Sequence, residues 1–152
     1  MTANLIRLSV VAERLGWIRA MVDAIRRLPL ASYQDFSQDA RNAGAAESYL
    51  RRALEALLDL GRHILAKGFA EAAVEYREIA IKLSDREVLP GEEAELLRKM
   101  AGYRNRLVHF YHEVSRQELY SLCTNNLADI ERVADALTAW LREHPEKLDA
   151  SI

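Results

Sequence analysis

A strong helical pattern begins at residue 45, and from there to residue 65 the chain runs AAESYLRRALEALLDLGRHIL. Its larger apolar residues recur at helical spacing and form one face: Leu50, Leu54, Leu57 and Ile64. A polar face steps by four residues beside it: Glu47, Arg51, Glu55, Asp59 and His63. Such a ladder has two interpretations. Its residues can form solvent-exposed ion pairs worth roughly a few tenths of a kcal/mol each. Alternatively, Glu55 or Asp59 can bind and orient polar side chains on another helix.

Amphipathic stripes continue on both sides of this helix. They predict a long first helix that ends before Pro29, a short third helix over residues 72–83 with Val74 on its buried side, and a fourth helix opened by Pro90. The capping box from Ser115 to Glu118 opens the fifth. The fourth helix carries two apolar stripes, so we expect it to be central. The fold class is therefore all-α, an antiparallel bundle of four to five helices.

Several finer features follow from single residues. Asn42-Ala43-Gly44 either breaks or loosens the chain before the second helix, and Gly68 is expected to end that helix. We expect the fourth helix to close at residues 112–115. We expect Trp17 to lie in the core, with a subunit contact as the alternative. Residues 144–152, after the fifth helix, are expected to be frayed.

Bulk composition is that of an ordinary globular protein. The 152 residues fit a single domain over 1–152, and the net charge of −2 argues against a broad basic field for nucleic acid. Cys123 is the single cysteine, which excludes a disulfide framework and predicts a buried thiol. Without a signal peptide or an apolar run long enough to span a bilayer, the expected location is the cytoplasm, with no membrane contact.

Polar side chains interrupt the apolar pattern in the segment Arg104-Asn105-Arg106-Leu107-Val108-His109-Phe110-Tyr111. An imidazole beside guanidinium groups suits phosphodiester chemistry, because the imidazole moves a proton while the cation stabilises phosphoryl oxygens. On residue types alone, a solvated helix face with one satisfied histidine is the simpler interpretation.

Helix geometry restricts how these groups can meet. Positions five apart, such as Arg104 and His109, point about 140° away from each other, whereas Asn105 and Arg106 share a face with His109. Arg104 therefore reaches His109 only if its side chain swings round, if the helix is distorted near Val108, or if a second chain contributes. A homodimer would bring both copies into one cleft.

The ordered pattern Arg104-Asn105, His109, Tyr111 in a helical domain of this size resembles the HEPN superfamily (higher eukaryotes and prokaryotes nucleotide-binding), and within it the HepT-like toxins. The similarity extends from about Tyr49 to Trp140 and includes the segment from Arg52 to Asp59. The resemblance implies a HEPN-like bundle that acts as the toxin of a toxin–antitoxin pair.

The same resemblance implies a metal-independent endoribonuclease with no cofactor. His109 would take the proton from a ribose 2′-hydroxyl and Arg104 would stabilise the charge on the attacked phosphate, in a site at a homodimer interface. Asn105 would hold the phosphate or the arginine, with Glu55 and Asp59 as supporting residues. A nucleotidyltransferase antitoxin of the MNT type would inactivate the toxin by AMPylation of Tyr111.

Some assignments stay open at this level. Arg98, Lys99 and Arg106 could form a local basic patch for RNA, or they could be ordinary surface charge. His112 lies three residues after His109 and could support it, whereas the ligand set for a metal ion is incomplete. The alternative function is a non-catalytic subunit that binds nucleotide or partner and regulates a nucleotidyltransferase; a purely structural dimerisation bundle is a third interpretation.

Overall fold

A computed structural model of the chain describes residues 4–109 and 114–151. Seven α-helices occur in these ranges: α1 (Leu8–Arg26), α2 (Tyr33–Ser37), α3 (Ala40–Phe69), α4 (Tyr76–Asp85), α5 (Gly91–Val108), α6 (Arg116–Asn125) and α7 (Leu127–Glu143). A short 3₁₀ turn, Pro145–Lys147, follows. The all-α fold class is confirmed. Of the helices so described, none is both long and apolar enough to cross a bilayer.

Helix α3 is the centre of the bundle. Its 30 residues extend about 45 Å, and it contacts each of the other six helices named above. The predicted apolar face is fully packed, with Leu50, Leu54, Leu57 and Ile64 all buried. Helix α5 corresponds to the predicted fourth helix, which is expected to be central. It packs mainly against α3, α4 and α7.

Both ends of α3 differ from the expectation. The helix begins at Ala40, where the Asp39 side chain accepts a hydrogen bond of 2.9 Å from the backbone of Arg41 and caps the first turn. It therefore runs through Gly44. At the other end it continues past Gly68 to Phe69, and Ala70 takes the left-handed conformation at φ 52°. Gly68 serves packing instead, because a Cβ there would lie 3.0 Å from Cδ1 of Ile6.

Helix α4 starts later than the sequence predicts. It begins at Tyr76 rather than at residue 72, and Val74 is 83% exposed, so its predicted burial is wrong. The cause lies on α3, where the guanidinium of Arg62 donates to the carbonyl oxygens of Ala73 and Val74, at 3.1 and 3.3 Å. These bonds hold residues 73–74 outside the helix.

Helix α5 ends at Val108, earlier than the predicted close at residues 112–115. His109 is its C-cap, with φ −93° and ψ 89°, and its backbone N–H donates to the carbonyl of Asn105 at 3.2 Å. A β-branched valine followed by histidine, phenylalanine and tyrosine is a run of modest helix propensity. The residues just after His109 are outside the described ranges.

The predicted fifth helix is divided in two. Ser115 caps α6 as expected, accepting 3.1 Å from the backbone N–H of Glu118. The break falls at Asn126, at φ −118° and ψ 1°, and its side-chain amide donates to Asp129 at 3.0 Å. An asparagine that bonds locally in this way competes with helix continuation.

Two buried-residue predictions had opposite outcomes. Cys123 is buried, as predicted, and burial raises the pKa of its thiol to about 12. Trp17, predicted in the core, is 44% exposed. It is the residue before Ile18 on α1, so it points about 100° away from the buried stripe.

Residues 144–151 are packed rather than frayed. The backbone N–H of Ile6 donates to the carbonyl of Lys147 at 2.8 Å, and that of Asp149 donates to the carbonyl of Ile6 at 3.0 Å. The resulting parallel bridge joins Ile6 to Leu148, and both side chains are buried. We call this pairing the terminal clasp.

Candidate functional site

Arg104 is held by a carboxylate on the central helix. Its Nε and Nη2 donate to Oε2 of Glu55 at 3.1 and 2.8 Å, while Oε1 of the same carboxylate accepts 2.9 Å from Arg51. The Arg104 and Glu55 side chains are only 24% and 23% exposed. A charge-assisted pair in such a setting fixes the guanidinium more firmly than a surface ion pair would.

An aromatic ring gives Arg104 its second support. The guanidinium carbon of Arg104 lies 4.6 Å from the ring centroid of Tyr76, and that of Arg62 lies 4.8 Å from it. The hydroxyl of Tyr76 donates to Asp59 at 3.3 Å. Burial, followed by the negative charge of Asp59, raises the pKa of Tyr76, so this hydroxyl stays protonated and keeps donating.

The four-residue steps on α3 explain this arrangement. Glu55 and Asp59 share one helix face; Glu55 meets Arg104 on α5, and Asp59 meets Tyr76, the first residue of α4. Glu47, at the start of the same ladder, is exposed. The structure thus brings Glu55, and through Tyr76 also Asp59, to Arg104.

An open pocket of about 590 Å³ borders Arg104. Its polar lining comes from Arg62 on α3, from Glu75, Tyr76 and Arg77 at the start of α4, and from Arg104 and Asn105 near the end of α5. We call it the arginine pocket. Three guanidinium groups and one amide make it a place where an anion can be bound.

His109 lies at the exposed end of α5. Its ψ of 89° turns the chain that follows, while its backbone N–H still donates to the carbonyl of Asn105 at 3.2 Å, so the Cβ of His109 keeps the direction expected for a regular helix. The meeting of Arg104 and His109, by a swing of the Arg104 side chain or through a second chain, stays a prediction. Tyr111 and His112, the remaining members of the predicted cluster, lie outside the described residues.

The predicted basic patch is engaged by carboxylates at two of its three positions. Arg106 donates twice to Glu118, at 2.8 and 2.7 Å, and this hydrogen bonding raises the pKa of Arg106 and lowers that of Glu118. Arg98 donates to Glu95 at 2.9 and 2.6 Å. Lys99 borders a separate, mostly apolar pocket of about 250 Å³.

The expectation of no metal concerns the same region. Among residues 4–109 and 114–151, no three His, Cys, Asp or Glu side chains are grouped so that they could hold an ion.

Sequence reasoning missed two members of this network, Arg62 and Tyr76. Arg62 follows Asp59 by three residues on the same helix, which was a usable signal for a local pair. Tyr76 carried no such signal, since its contacts depend on where α4 begins and on how that helix packs beside α5.

The residues around Arg104 lie within a region that matches a known protein family. The family model described as Ribonuclease HepT-like matches residues 18–137, which include Glu55, Tyr76, Arg104 and His109. The chain belongs to the HepT-like ribonuclease family. This confirms the recognition made from the Arg-Asn-x-x-x-His-x-Tyr pattern.

Individual HepT-like relatives are distant in sequence. A protein from Aphanizomenon flos-aquae named tRNA nuclease HepT is 25% identical over 111 residues, covering 73% of this chain and 76% of the relative. The solved structure of a tri-AMPylated HEPN toxin of Shewanella oneidensis, in complex with an MNT antitoxin, aligns at TM-score 0.78 and 23% identity over 86% of this chain and 97% of that one.

A Bacillus subtilis cytosolic protein of unknown function, YutE, aligns at TM-score 0.76 and 20% identity over 99% of both chains. The two structural likenesses confirm a HEPN-like fold.

Proposed function

We propose that this chain is the toxin of a toxin–antitoxin pair, an endoribonuclease that cleaves RNA without a metal ion at a site shared by two copies. The observation that carries the proposal is the fixed position of Arg104, held by Glu55 and Tyr76 at the edge of the arginine pocket. A guanidinium fixed before substrate arrives can stabilise developing charge without reorganisation. Membership of the HepT-like family and the relative named tRNA nuclease support RNA as substrate.

In the proposed reaction, His109 removes the proton from a ribose 2′-hydroxyl. The oxygen attacks the adjacent phosphorus, the bond to the 5′-oxygen breaks, and a 2′,3′-cyclic phosphate remains. Arg104 stabilises the added negative charge on the phosphoryl oxygens, and Asn105 binds the phosphate or steadies Arg104. A second copy of the imidazole, His109 of the partner subunit, protonates the departing 5′-oxygen.

The remaining predicted residues act through Arg104 or beside it. Glu55 and Asp59 position Arg104, directly and through Tyr76. Arg106, bound to Glu118, anchors the start of α6 beside the last turn of α5. Dimerisation would place the exposed end of α5, with Val108 and His109, against the second copy.

RNA cleavage in the presence of a chelator tests the catalytic proposal. We expect the protein to cleave single-stranded RNA in EDTA, and His109→Ala to slow cleavage by about 10²- to 10⁴-fold, the usual contribution of acid–base catalysis. The matched control is His144→Ala, a histidine whose ring stacks on Trp140 in a part of the chain away from α5. Its activity should be unchanged.

Two results would contradict the catalytic proposal, and a third would contradict the shared site. One is cleavage that needs added metal or survives in His109→Ala. The other is RNA or nucleotide binding with no strand scission, which would favour the non-catalytic partner-binding subunit. A sedimentation mass of 17.3 kDa, that of one chain, would remove the shared site.

We further propose that an MNT-type nucleotidyltransferase partner inactivates this protein by AMPylation. The tyrosine oxygen of Tyr111 attacks the α-phosphate of ATP, and pyrophosphate leaves. The AMP group adds bulk and negative charge two residues from His109, where the substrate phosphate must bind. Support comes from the AMPylated state of the Shewanella oneidensis toxin, which was solved with its MNT antitoxin.

Intact mass after co-expression with a candidate partner tests this modification. The unaltered protein should carry AMP adducts and lose nuclease activity, whereas Tyr111→Phe should lack at least one adduct. Tyr120→Phe is the control, because the Tyr120 hydroxyl is already engaged with the carbonyl of Leu30 at 3.0 Å. Adducts that persist unchanged in Tyr111→Phe would exclude this tyrosine as the acceptor.

A further inference from the structure

We propose that the arginine pocket is a second phosphate subsite, which binds the backbone phosphate of a nucleotide adjacent to the cleaved bond. The inference rests on the proposed ribonuclease function, and it identifies where the RNA strand binds beyond the cleaved bond. Arg104 and Asn105 form one wall of the pocket, and Arg62, Tyr76 and Arg77 form the other. A strand whose scissile phosphate lies on Arg104 therefore has its next phosphate within reach of Arg77.

The charges of the pocket favour an anion. Arg62 donates to two carbonyl oxygens, and its contact with Asp59 is long, at 3.4 Å. Arg77 is 74% exposed, and its ion pair with Glu75 is loose, at 3.7 Å. An exposed pair of this kind adds little stability, so a phosphate can replace Glu75 on the guanidinium.

The backbone adds further donors at the same place. The 10-residue helix α4 begins at Tyr76, and its N-cap, Glu75, makes no side-chain capping hydrogen bond. The first N–H groups of a helix have no partner within the helix, and they favour phosphate. In α4 the N–H of Glu78 donates to the carbonyl of Glu75 at 3.1 Å, and residues 75–77, at this helix start, line the pocket.

The ring of Tyr76 decides which part of the RNA is bound. It is in contact with the guanidinium groups of Arg62 and Arg104, and its hydroxyl is bound to Asp59. The ring is therefore already engaged by two cations. The pocket recognises the sugar–phosphate backbone, which carries no sequence information.

The experiment compares Arg77→Gln with the unaltered protein on a single-stranded RNA oligonucleotide, measuring kcat and KM at several salt concentrations. We expect KM to rise about three- to ten-fold with kcat unchanged. The salt dependence of log KM should become shallower by about 0.7, the contribution of one lost phosphate contact on a single strand.

Arg41→Gln is the matched control. Arg41 also lies in the first turn of a helix and pairs with an acid two residues earlier, Asp39, at 2.7 Å. It lies 14 residues before Glu55 on α3, about 21 Å along the helix. A second control is a dinucleoside monophosphate substrate, which has one phosphate and cannot fill the subsite, so Arg77→Gln should leave its cleavage unchanged.

Equal KM and salt slopes for Arg77→Gln and Arg41→Gln would overturn the subsite, and so would an equal loss on the dinucleotide. Failure of the proposed function is distinguishable from failure of the subsite. If the unaltered protein does not cleave RNA, fluorescence anisotropy with the same labelled oligonucleotide still compares the two variants. Weaker binding by Arg77→Gln alone would then support the subsite, and equal binding would overturn it.

Discussion

Arg104 has a long, flexible side chain, and its usefulness as a phosphate ligand depends on how much of that flexibility has been removed. Two donors bind one carboxylate oxygen of Glu55, and the guanidinium rests near the ring of Tyr76. Arg51 occupies the other oxygen of Glu55 and so restrains the carboxylate as well. The conformational entropy of the Arg104 side chain is therefore lost when the protein folds rather than when RNA binds.

Glu55→Gln should therefore lower kcat by about 10- to 100-fold, because hydrogen bonds to a charged group are worth about 1.5–3 kcal/mol and the amide lacks the negative charge and places an N–H group where Arg51 or Arg104 now donates. Single-turnover cleavage measures the loss. Glu71→Gln is the control, since Glu71 makes a comparable pair with Arg86 at 2.8 Å, with no contact to Arg104. If the two variants lose activity equally, Glu55 has no special role in positioning Arg104.

At this scale the sequence predicted one half of the network. The spacing of Arg104, Asn105 and His109 and the four-residue step from Glu55 to Asp59 are local patterns, and both can be read along the chain. The part played by Tyr76 cannot, because it arises from tertiary packing of α4 beside α5.

At the scale of elements, the position of α4 depends on one close approach. Gly61 on α3 faces Ile79 and Leu83 of α4, and a Cβ at Gly61 would lie 2.8 Å from Cγ2 of Ile79 and 2.9 Å from Cδ1 of Leu83. The missing side chain thus lets α4 sit directly on α3. From that position Tyr76 contacts Arg104, and Arg77 lines the same pocket.

Gly61→Ala should destabilise the protein by about 1–3 kcal/mol through overpacking, and it should lower nuclease activity by displacing α4. Urea unfolding measures the first effect. Gly44→Ala is the matched control on the same helix: a Cβ there meets nothing within 4 Å, so alanine should stabilise by up to about 1 kcal/mol. A Gly61→Ala protein as stable as the Gly44→Ala protein would show that the contact relaxes freely.

Helix existence could be predicted well and helix ends poorly, and the reasons are visible in particular residues. Gly68 resembles a helix stop, yet it is needed for contact with Ile6, and Ala70 adopts the left-handed conformation instead. Arg62 delays the start of α4 by binding carbonyl groups 11 and 12 residues away. Both effects come from tertiary partners that a local pattern does not contain.

At the scale of the whole molecule, His63 links α3 to the terminal clasp. Its Nε2 accepts 2.9 Å from the backbone N–H of Arg7. Burial, followed by the positive charges of Lys67, Arg7 and Arg14, lowers the pKa of His63 below 6.5, and Asp149 opposes this shift. The folded chain therefore favours the neutral form of the His63 imidazole.

As the pH falls, the His63 imidazole is therefore protonated in the unfolded chain before it is protonated in the folded one. The contribution of His63 to the free energy of unfolding should be complete above about pH 6.5 and decline as the pH drops through the lowered folded-state value. Urea unfolding at a series of pH values measures the decline. His63→Gln keeps an acceptor for Arg7 and cannot be protonated, so its stability should change less over this range; an identical slope would contradict the assignment.

The bridge between Ile6 and Leu148 also means that the order of the helices along the chain is not essential to their packing. A short flexible linker could join the two ends, and new ends could be opened in the exposed turn at Pro29, between α1 and α2. Such a circular permutant would carry α1 last, directly after α7, and would still cover the same face of α3. The catalytic groups proposed here would then lie in the middle of an uninterrupted segment running from α2 to α7.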